Sequence, residues 1–266
     1  MHRYSYYKTA ACTLNVSIGD PQANKEEILK CIQELDSDTQ LVVFPELCIT
    51  GYTCQDLFYE HTLLNSAKQV LFEIVEELPE NLVTVLGLPL EIENKLYNCA
   101  AICFNHDILG IQVKTYIPSY NEFYETRWFS SASELKENTT FTYKDKKVPV
   151  SNHIVFKDTT TSACLGIEVC EDLWVTIPVS STHALAGANV LCNLSASNEI
   201  ISKANYRRNL VKDQSAKCYA GYVYASAGPT ESSSDLVFSG HNLICENGAI
   251  LSETKTDKII YGQIDL

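Results

Sequence analysis

Apolar positions along this chain follow two alternating rhythms: short β-branched runs that read as buried strands, and longer stretches where they return every three or four residues. Residues 9–16 read as a first strand, after which Pro21 and Asn24 open a helix whose Ile28, Ile32 and Leu35 share a face. A strand over 41–44 ends at Pro45-Glu46. Beyond a polar loop at Gln55-Asp56, the stripe Leu64, Ala67, Leu71, Ile74, Val75 and Leu78 marks a second amphipathic helix within 63–78. Residues 82–90 predict a buried strand, and 97–104 with 108–113 predict a hairpin about Asn105-His106-Asp107. Residues 125–147 hold no period and are expected to be loop and edge. The plan then repeats, with a strand running to Cys170, a helix near 180–186, a strand over 188–194, a helix over 206–220 and a strand over 222–227. A last hairpin turns at Asn247-Gly248, a type I′ signal.

Two halves of the same alternation suggest two sheets packed face to face with helices outside. Alternation alone leaves a simpler doubly wound sheet open. With 266 residues, 45% of them apolar, and no linker composition, the chain is read as a single domain over 1–266. Its net charge of −13 argues against a nucleic-acid or anionic-membrane surface and for small neutral or zwitterionic substrates. No apolar run is long enough to span a bilayer. Eleven cysteines at irregular spacing, with no secretory leader, point to a reducing cytoplasm rather than a disulfide framework.

Three ionisable residues each follow an apolar run directly: Glu46 after Leu41-Val-Val-Phe-Pro, Lys114 after Ile111-Gln-Val, and Cys170 after Ile167-Glu-Val. Strands of one architecture would thus deliver a carboxylate, an ammonium and a thiol to one edge. A thiol at a strand end, beside amide N–H groups outside the ladder, has the setting of a nucleophile. Taken alone, Cys170 reads more readily as a packed cysteine and Lys114 as a solvated lysine, and Glu46 equally well as a loop or capping acid.

In their flanks the three resemble the Glu-Lys-Cys triad of the nitrilase superfamily of carbon–nitrogen hydrolases, and most of all the glutaminase domains of glutamine-dependent NAD synthetases. The resemblance is carried by Phe44-Pro-Glu-Leu with Thr50-Gly-Tyr, by Lys114-Thr-Tyr-Ile-Pro with Glu122-Phe-Tyr-Glu, and by Glu168-Val-Cys-Glu-Asp. It extends from Gly19-Asp20-Pro21 and Asn24 to Ile264-Asp265-Leu266. It implies a four-layer α-β-β-α sandwich and hydrolysis of glutamine through a cysteine thioester. Glu46 would be the base, Cys170 the nucleophile, and Lys114 with the Glu171 N–H the oxyanion holders. It further implies that Glu122 holds the lysine and the substrate, and that Tyr52, Tyr120, Phe123, Glu171 and Ser197 line the glutamine pocket. Lys203 and Arg207 either meet the substrate carboxylate or decorate a helix start, with the second reading preferred.

The glutaminase reaction implies no cofactor, and no metal is expected, since Cys99 and Cys103 lack a nearby histidine. A Cys–His pair using His183 or His241 is conceivable but fits the flanks poorly. In the resembling family an ATP- and magnesium-dependent synthetase domain with a Ser-Gly-Gly-x-Asp-Ser loop follows, and these 266 residues contain no such loop. That leaves an excised domain or a free-standing protein. The expected partners are glutamine, the synthetase domain or subunit, and further copies in a homo-oligomer. The alternatives are a free-standing amidase for another small amide, and a catalytically idle assembly module.

Overall fold

The computed structural model describes residues 6–266. Along the chain, β1 (Tyr6–Cys12) leads through α1 (Pro21–Gln33) to β2 (Leu41–Val43), then through α2 (His61–Glu77) to β3 (Val83–Ile92), β4 (Lys95–Phe104) and β5 (Asp107–Val113). A hairpin of β6 (Thr140–Tyr143) and β7 (Lys146–Ser151) and a short β8 (Val155–Lys157) precede the second half. That half runs β9 (Cys164–Val169), α3 (Val179–Leu185), β10 (Val190–Ser195), α4 (Lys203–Cys218), β11 (Gly221–Ser226), β12 (Asn242–Glu246) and β13 (Ala249–Thr254), followed by β14 (Ile259–Asp265).

The strands form an eight-stranded sheet, ordered β14-β1-β2-β3-β4-β5-β7-β6, and a six-stranded sheet, ordered β13-β12-β11-β10-β9-β8. In each half three strands run parallel through helical crossovers, β1-β2-β3 and β9-β10-β11, before the chain turns back antiparallel. The predicted repeat of the two halves is therefore a repeat of one β-α-β-α-β plan, and its layers are α-β-β-α. Alternation along β2 shows how the layers separate: Val42 joins the helix-side core with Ile28, Val70 and Leu71, while Leu41 and Val43 face Ile167, Val190 and Val223 across the sheet interface. On the far side Leu191, Tyr222 and Tyr224 pack with Val211 of α4.

Several boundaries differ from expectation. The first strand ends at Cys12: Thr13 N–H still donates to Lys258 O beside β14 at 2.8 Å, but by Ser17 the chain is held by α1 instead, Ser17 N–H donating to Asn24 Oδ1 at 2.7 Å. α1 does open at Pro21, and Asp20 caps it, accepting from Ala23 N–H at 3.1 Å. The helix expected at 206–220 begins at Lys203 and stops where Tyr219 turns left-handed (φ 50). The irregular 125–147 region is loop and edge as expected, holding β6 and the start of β7, an edge hairpin that turns through Lys144 (φ 51) and runs on to Ser151.

Candidate active site

β2, β5 and β9 run out at the same end of the sandwich, and the chain turns sharply after β2 and β9. Following β2, Phe44 N–H still bonds Val85 O, but Leu47 is left-handed (φ 52) and Gly51 N–H closes back on Leu47 O at 2.8 Å. This turn lies directly on Gly87 of β3. A Cβ there would sit 2.4 Å from Leu47 N and 2.6 Å from Pro45 O, so only glycine admits the close backbone approach. We therefore expect Gly87→Ala to displace the Glu46 turn, costing about 1–3 kcal/mol of stability together with most of the activity. Denaturant unfolding and turnover measured on the variant check this, and an unchanged midpoint with normal turnover would contradict it.

Glu46 is wholly buried, and its carboxylate has three donors. Oε1 accepts from Lys114 Nζ at 2.6 Å and from Asn98 Nδ2 at 2.7 Å, while Oε2 accepts from Ala196 N–H at 2.9 Å. Lys114, also fully buried, donates to both oxygens of Glu125 at 2.8 Å, and Tyr52 OH donates to Glu125 Oε1 at 2.8 Å. Two carboxylates thus share one ammonium. Burial alone would lower the lysine pKa, but Glu125 and Glu46 outweigh it and hold Lys114 charged, well above its usual range. The excess negative charge falls on Glu125, which burial pushes up to about 7 against the pull of Lys114 and with a further push from Glu46.

Cys170 follows the last residue of β9 in a left-handed conformation (φ 45), unusual for a residue with a side chain. It opens a 3₁₀ turn over Cys170–Leu173. Burial, and then the Glu46 carboxylate, push its thiol well above the usual range while Lys114 pulls the other way, so the resting sulfur is a protonated thiol. Such a site works by proton transfer to a base when substrate arrives, not by storing a thiolate. Asp172 fixes this turn against the segment after Lys114: Oδ1 accepts from Thr115 N–H at 3.0 Å and Tyr116 N–H at 2.9 Å, and Oδ2 from Val169 N–H at 3.1 Å. One buried carboxylate thereby sets the spacing of the lysine and cysteine segments.

Around the thiol, Tyr120 OH donates to both Glu171 oxygens at 3.0 and 3.1 Å, and Phe123 packs edge-on against Tyr120. Lys203 Nζ lies 5.4 Å above the Phe123 ring and 5.1 Å above Trp174, and donates to Asn198 Oδ1. A groove of about 570 Å³ beside the cysteine turn is lined by Tyr116, Pro118, Tyr120, Phe129 and Glu171. Ser197 is buried, its Oγ accepting from Arg207 Nη2 at 3.1 Å.

The structure thus brings Glu46, Lys114 and Cys170 together and gathers Tyr52, Tyr120, Phe123, Glu171 and Ser197 around them. It corrects the role expected of Glu122. Tyr120 O accepts from Phe123 N–H and Pro118 O from Glu125 N–H, with Asn121 left-handed, so the loop swings Glu122 out to Asn198 Nδ2 and brings Glu125 back onto the ammonium. Of the pair read as decorating a helix start, Lys203 does open α4, while Arg207 is corrected. Lys203 stands half-buried at the pocket, and Arg207 is fully buried behind the Ser197 segment, donating to Asn198 O at 2.9 Å and paired with His241 Nδ1 at 2.8 Å. Sequence reasoning also missed Asn98 and Asp172. Asn98 stands in the β4 pattern as an ordinary polar position, and only the register of β4 with β3 places it under Glu46. Among the described residues no cluster of three or more His, Cys, Asp or Glu side chains could hold a metal ion, and no helix is long and apolar enough to cross a membrane.

The carbon-nitrogen hydrolase family model matches residues 8–266. Glutamine-dependent NAD(+) synthetase of Mycobacterium tuberculosis is 37% identical over 257 residues, which cover 96% of this chain and 38% of that protein. The protein of the same name from Homo sapiens is 29% identical over 255 residues, 92% of this chain and 35% of that one. The chain therefore spans little more than a third of these relatives. Among solved structures, a glutamine-dependent NAD(+) synthetase from Cytophaga hutchinsonii superposes with a TM-score of 0.85 at 28% identity, covering 98% of this chain and 43% of that one. An amidase from Nesterenkonia shares the fold at 17% identity, with a TM-score of 0.78 and coverage of 99% and 92%.

Proposed function

The chain belongs to the carbon-nitrogen hydrolase family, and on that premise we propose that it hydrolyses glutamine to glutamate and ammonia, the ammonia serving NAD synthesis by an ATP-dependent synthetase domain or subunit. The observation that carries this reading is the buried Glu46–Lys114–Glu125 cluster bearing on the Cys170 thiol, with acidic Glu171 and cationic Lys203 at the pocket to meet an α-ammonium and an α-carboxylate. An amide carbonyl is a poor electrophile, so the reaction needs a nucleophile, a proton carrier and fixed positive charge at the oxygen. Cys170 Sγ bonds to the side-chain carbonyl carbon as its proton passes to Glu46. The oxygen gathers charge against Lys114 and the Glu171 N–H. Collapse expels the amide nitrogen, which takes the proton from Glu46 and leaves as ammonia, and a γ-glutamyl thioester remains. Glu46 then removes a proton from water as it attacks the thioester, glutamate departs, and the thiol is restored. Tyr52, Tyr120, Glu122, Phe123 and Ser197 shape the pocket.

This chemistry asks for no cofactor. ATP and magnesium would serve the synthetase reaction in a cytoplasmic setting. Ammonia released to solvent is lost to protonation, which gives a motive for assembly with the synthetase and for at least a dimer. Ammonia release measured across glutamine, asparagine, ω-amidic acids and aliphatic nitriles tests the proposal. Glutamine is expected to lead by tenfold or more, on the order of what one desolvated charge contact contributes. Equal or better turnover of an amide without the α-ammonium and α-carboxylate would replace glutaminase with a free-standing amidase.

A further inference from the structure

Glu231 is a buried carboxylate that, among the described residues, forms no ion pair. It belongs to the Pro229–Glu231 turn after β11, in the second half of the chain, yet its partners lie in the first. Tyr52 N–H donates to both of its oxygens at 3.0 and 3.1 Å, and Thr53 contributes N–H at 3.4 Å and Oγ1 at 3.2 Å to Oε2. Thr53 Oγ1 also donates to the Glu231 carbonyl at 3.0 Å. Farther along the same segment, Phe238 packs edge-on against the Tyr52 ring with centroids 5.8 Å apart. Tyr52 is thus held by one segment at both its backbone and its ring. A buried carboxylate without a cation is an expensive way to fix a loop, since apolar packing fills such volume without the desolvation cost. Burial indeed pushes Glu231 up to about 7 despite its donors. What the arrangement secures is direction. The Tyr52 hydroxyl ends 2.8 Å from Glu125 Oε1, and Glu125 holds the Lys114 ammonium through both oxygens.

We infer that Glu231 is a positioning residue for amide hydrolysis: it fixes Tyr52 so that the hydroxyl keeps Glu125 seated on Lys114 and the ammonium aimed where the carbonyl oxygen gathers charge. It touches neither substrate nor thiol, and the inference rests on the amide-hydrolysis reading above. Misplacement of a catalytic group by about 1 Å can cost on the order of 10²-fold, so a partial release of Tyr52 should read as roughly tenfold.

A double-mutant cycle of Glu231→Gln and Tyr52→Phe tests it, with two readouts: kcat and KM for glutamine, and the pH dependence of Cys170 alkylation by iodoacetamide followed by peptide mapping. Glu231→Gln in the native background should lower kcat roughly tenfold with KM nearly unchanged, and should move the alkylation profile to higher pH. In the Tyr52→Phe background the same substitution should change each readout less than about twofold, because the path it acts through is already cut. Equal effects in both backgrounds would show an independent action, such as the loss of charge alone, and overturn the inference. So would a change confined to KM. If Glu231→Gln does not fold, Thr53→Val loosens the same clasp without altering charge and takes its place in the cycle under the same criteria. Should the native protein release no ammonia from glutamine, the glutaminase proposal fails, while the alkylation cycle, which needs no substrate, still decides the role of Glu231.

Discussion

Replacing Cys170 with alanine is expected to abolish ammonia release, a loss on the order of 10⁶ in turnover, while the protein unfolds at nearly its native midpoint. On the proposed mechanism the thiol is the attacking group, and the hydroxyls of Tyr52 and Tyr120 and Ser197 Oγ are engaged with Glu125, Glu171 and Arg207. Alanine removes one atom from a left-handed position that it tolerates about as well as cysteine, so the turn should survive. A glutamine-analogue electrophile gives a sharper form of the test. Ten of the eleven cysteines, Cys170 included, are buried, and Cys218 is the more accessible exception. Exposure alone therefore favours modification of Cys218, whereas the proposed pocket and base favour Cys170. Labelling spread over several thiols, or activity retained in Cys170→Ala, would remove the nucleophile assignment.

Lys114→Met should act on both activity and stability. In turnover we expect a loss of 10³-fold or more with KM little altered, because the ammonium meets charge that develops mainly in the transition state and one neutral oxyanion donor is already worth about 10²–10³. The fold should suffer as well, since the variant leaves Glu46 and Glu125 buried together without their cation. Breaking a buried pair in this way costs about 3–5 kcal/mol. The sign with pH follows from linkage. With the lysine gone, one carboxyl must have a folded pKa raised further above its unfolded value, so the folded state binds more protons than the unfolded state between the two. The penalty is then fully present above the raised folded pKa and declines as pH falls toward the unfolded value near 4.5. Denaturant unfolding at several pH values should show Lys114→Met approaching the native stability in acid. Adding Glu125→Gln should recover stability at neutral pH without recovering turnover. A variant that raised KM alone and kept its stability would make Lys114 a binding residue.

The alternation of strands with helices and the three strand-end residues were legible because each depends on local pattern, whereas the choice of two facing sheets over one doubly wound sheet came from the family resemblance. The unbroken apolar run of β2 and the period of 3.6 along α2 report burial directly, and Glu46, Lys114 and Cys170 interrupt apolar runs where a strand must end. The glutamate on the lysine was not legible. Glu122 and Glu125 stand in one short motif, and the choice between them is made by the left-handed Asn121 and two backbone hydrogen bonds, which no side-chain pattern announces. Asp172 and Glu231 were hidden for a related reason. Each reads as a loop acid, and it accepts from backbone N–H groups of a distant segment, which carry no sequence signature at all. The place of Lys203 beside the pocket was not legible either, because the helix was expected to start three residues later. Once α4 begins at Lys203, its first side chain reaches back over the pocket.

The pairing of β1 with β14 has a bearing on how the chain comes into being. Tyr6 lies opposite Asp265 and Cys12 opposite Ile259, and Thr9 Oγ1 reaches Gly262 O across 253 positions of sequence. During synthesis β1 gains its parallel neighbour as soon as Leu41–Val43 emerges, but its other edge stays bare until residues 259–265 arrive. At 5–20 residues per second that interval is roughly ten to fifty seconds. A bare strand edge is a template for pairing with other nascent chains, and a charged side chain on it is the usual protection. Lys8 supplies that charge, and in the finished fold it is held by Asp36 at 2.7 Å and Asp38 at 2.5 Å. A chain shortened before Ile259 would leave that edge of β1 unpaired, so β14 shields from wrong pairing the sheet that carries Glu46 and Lys114.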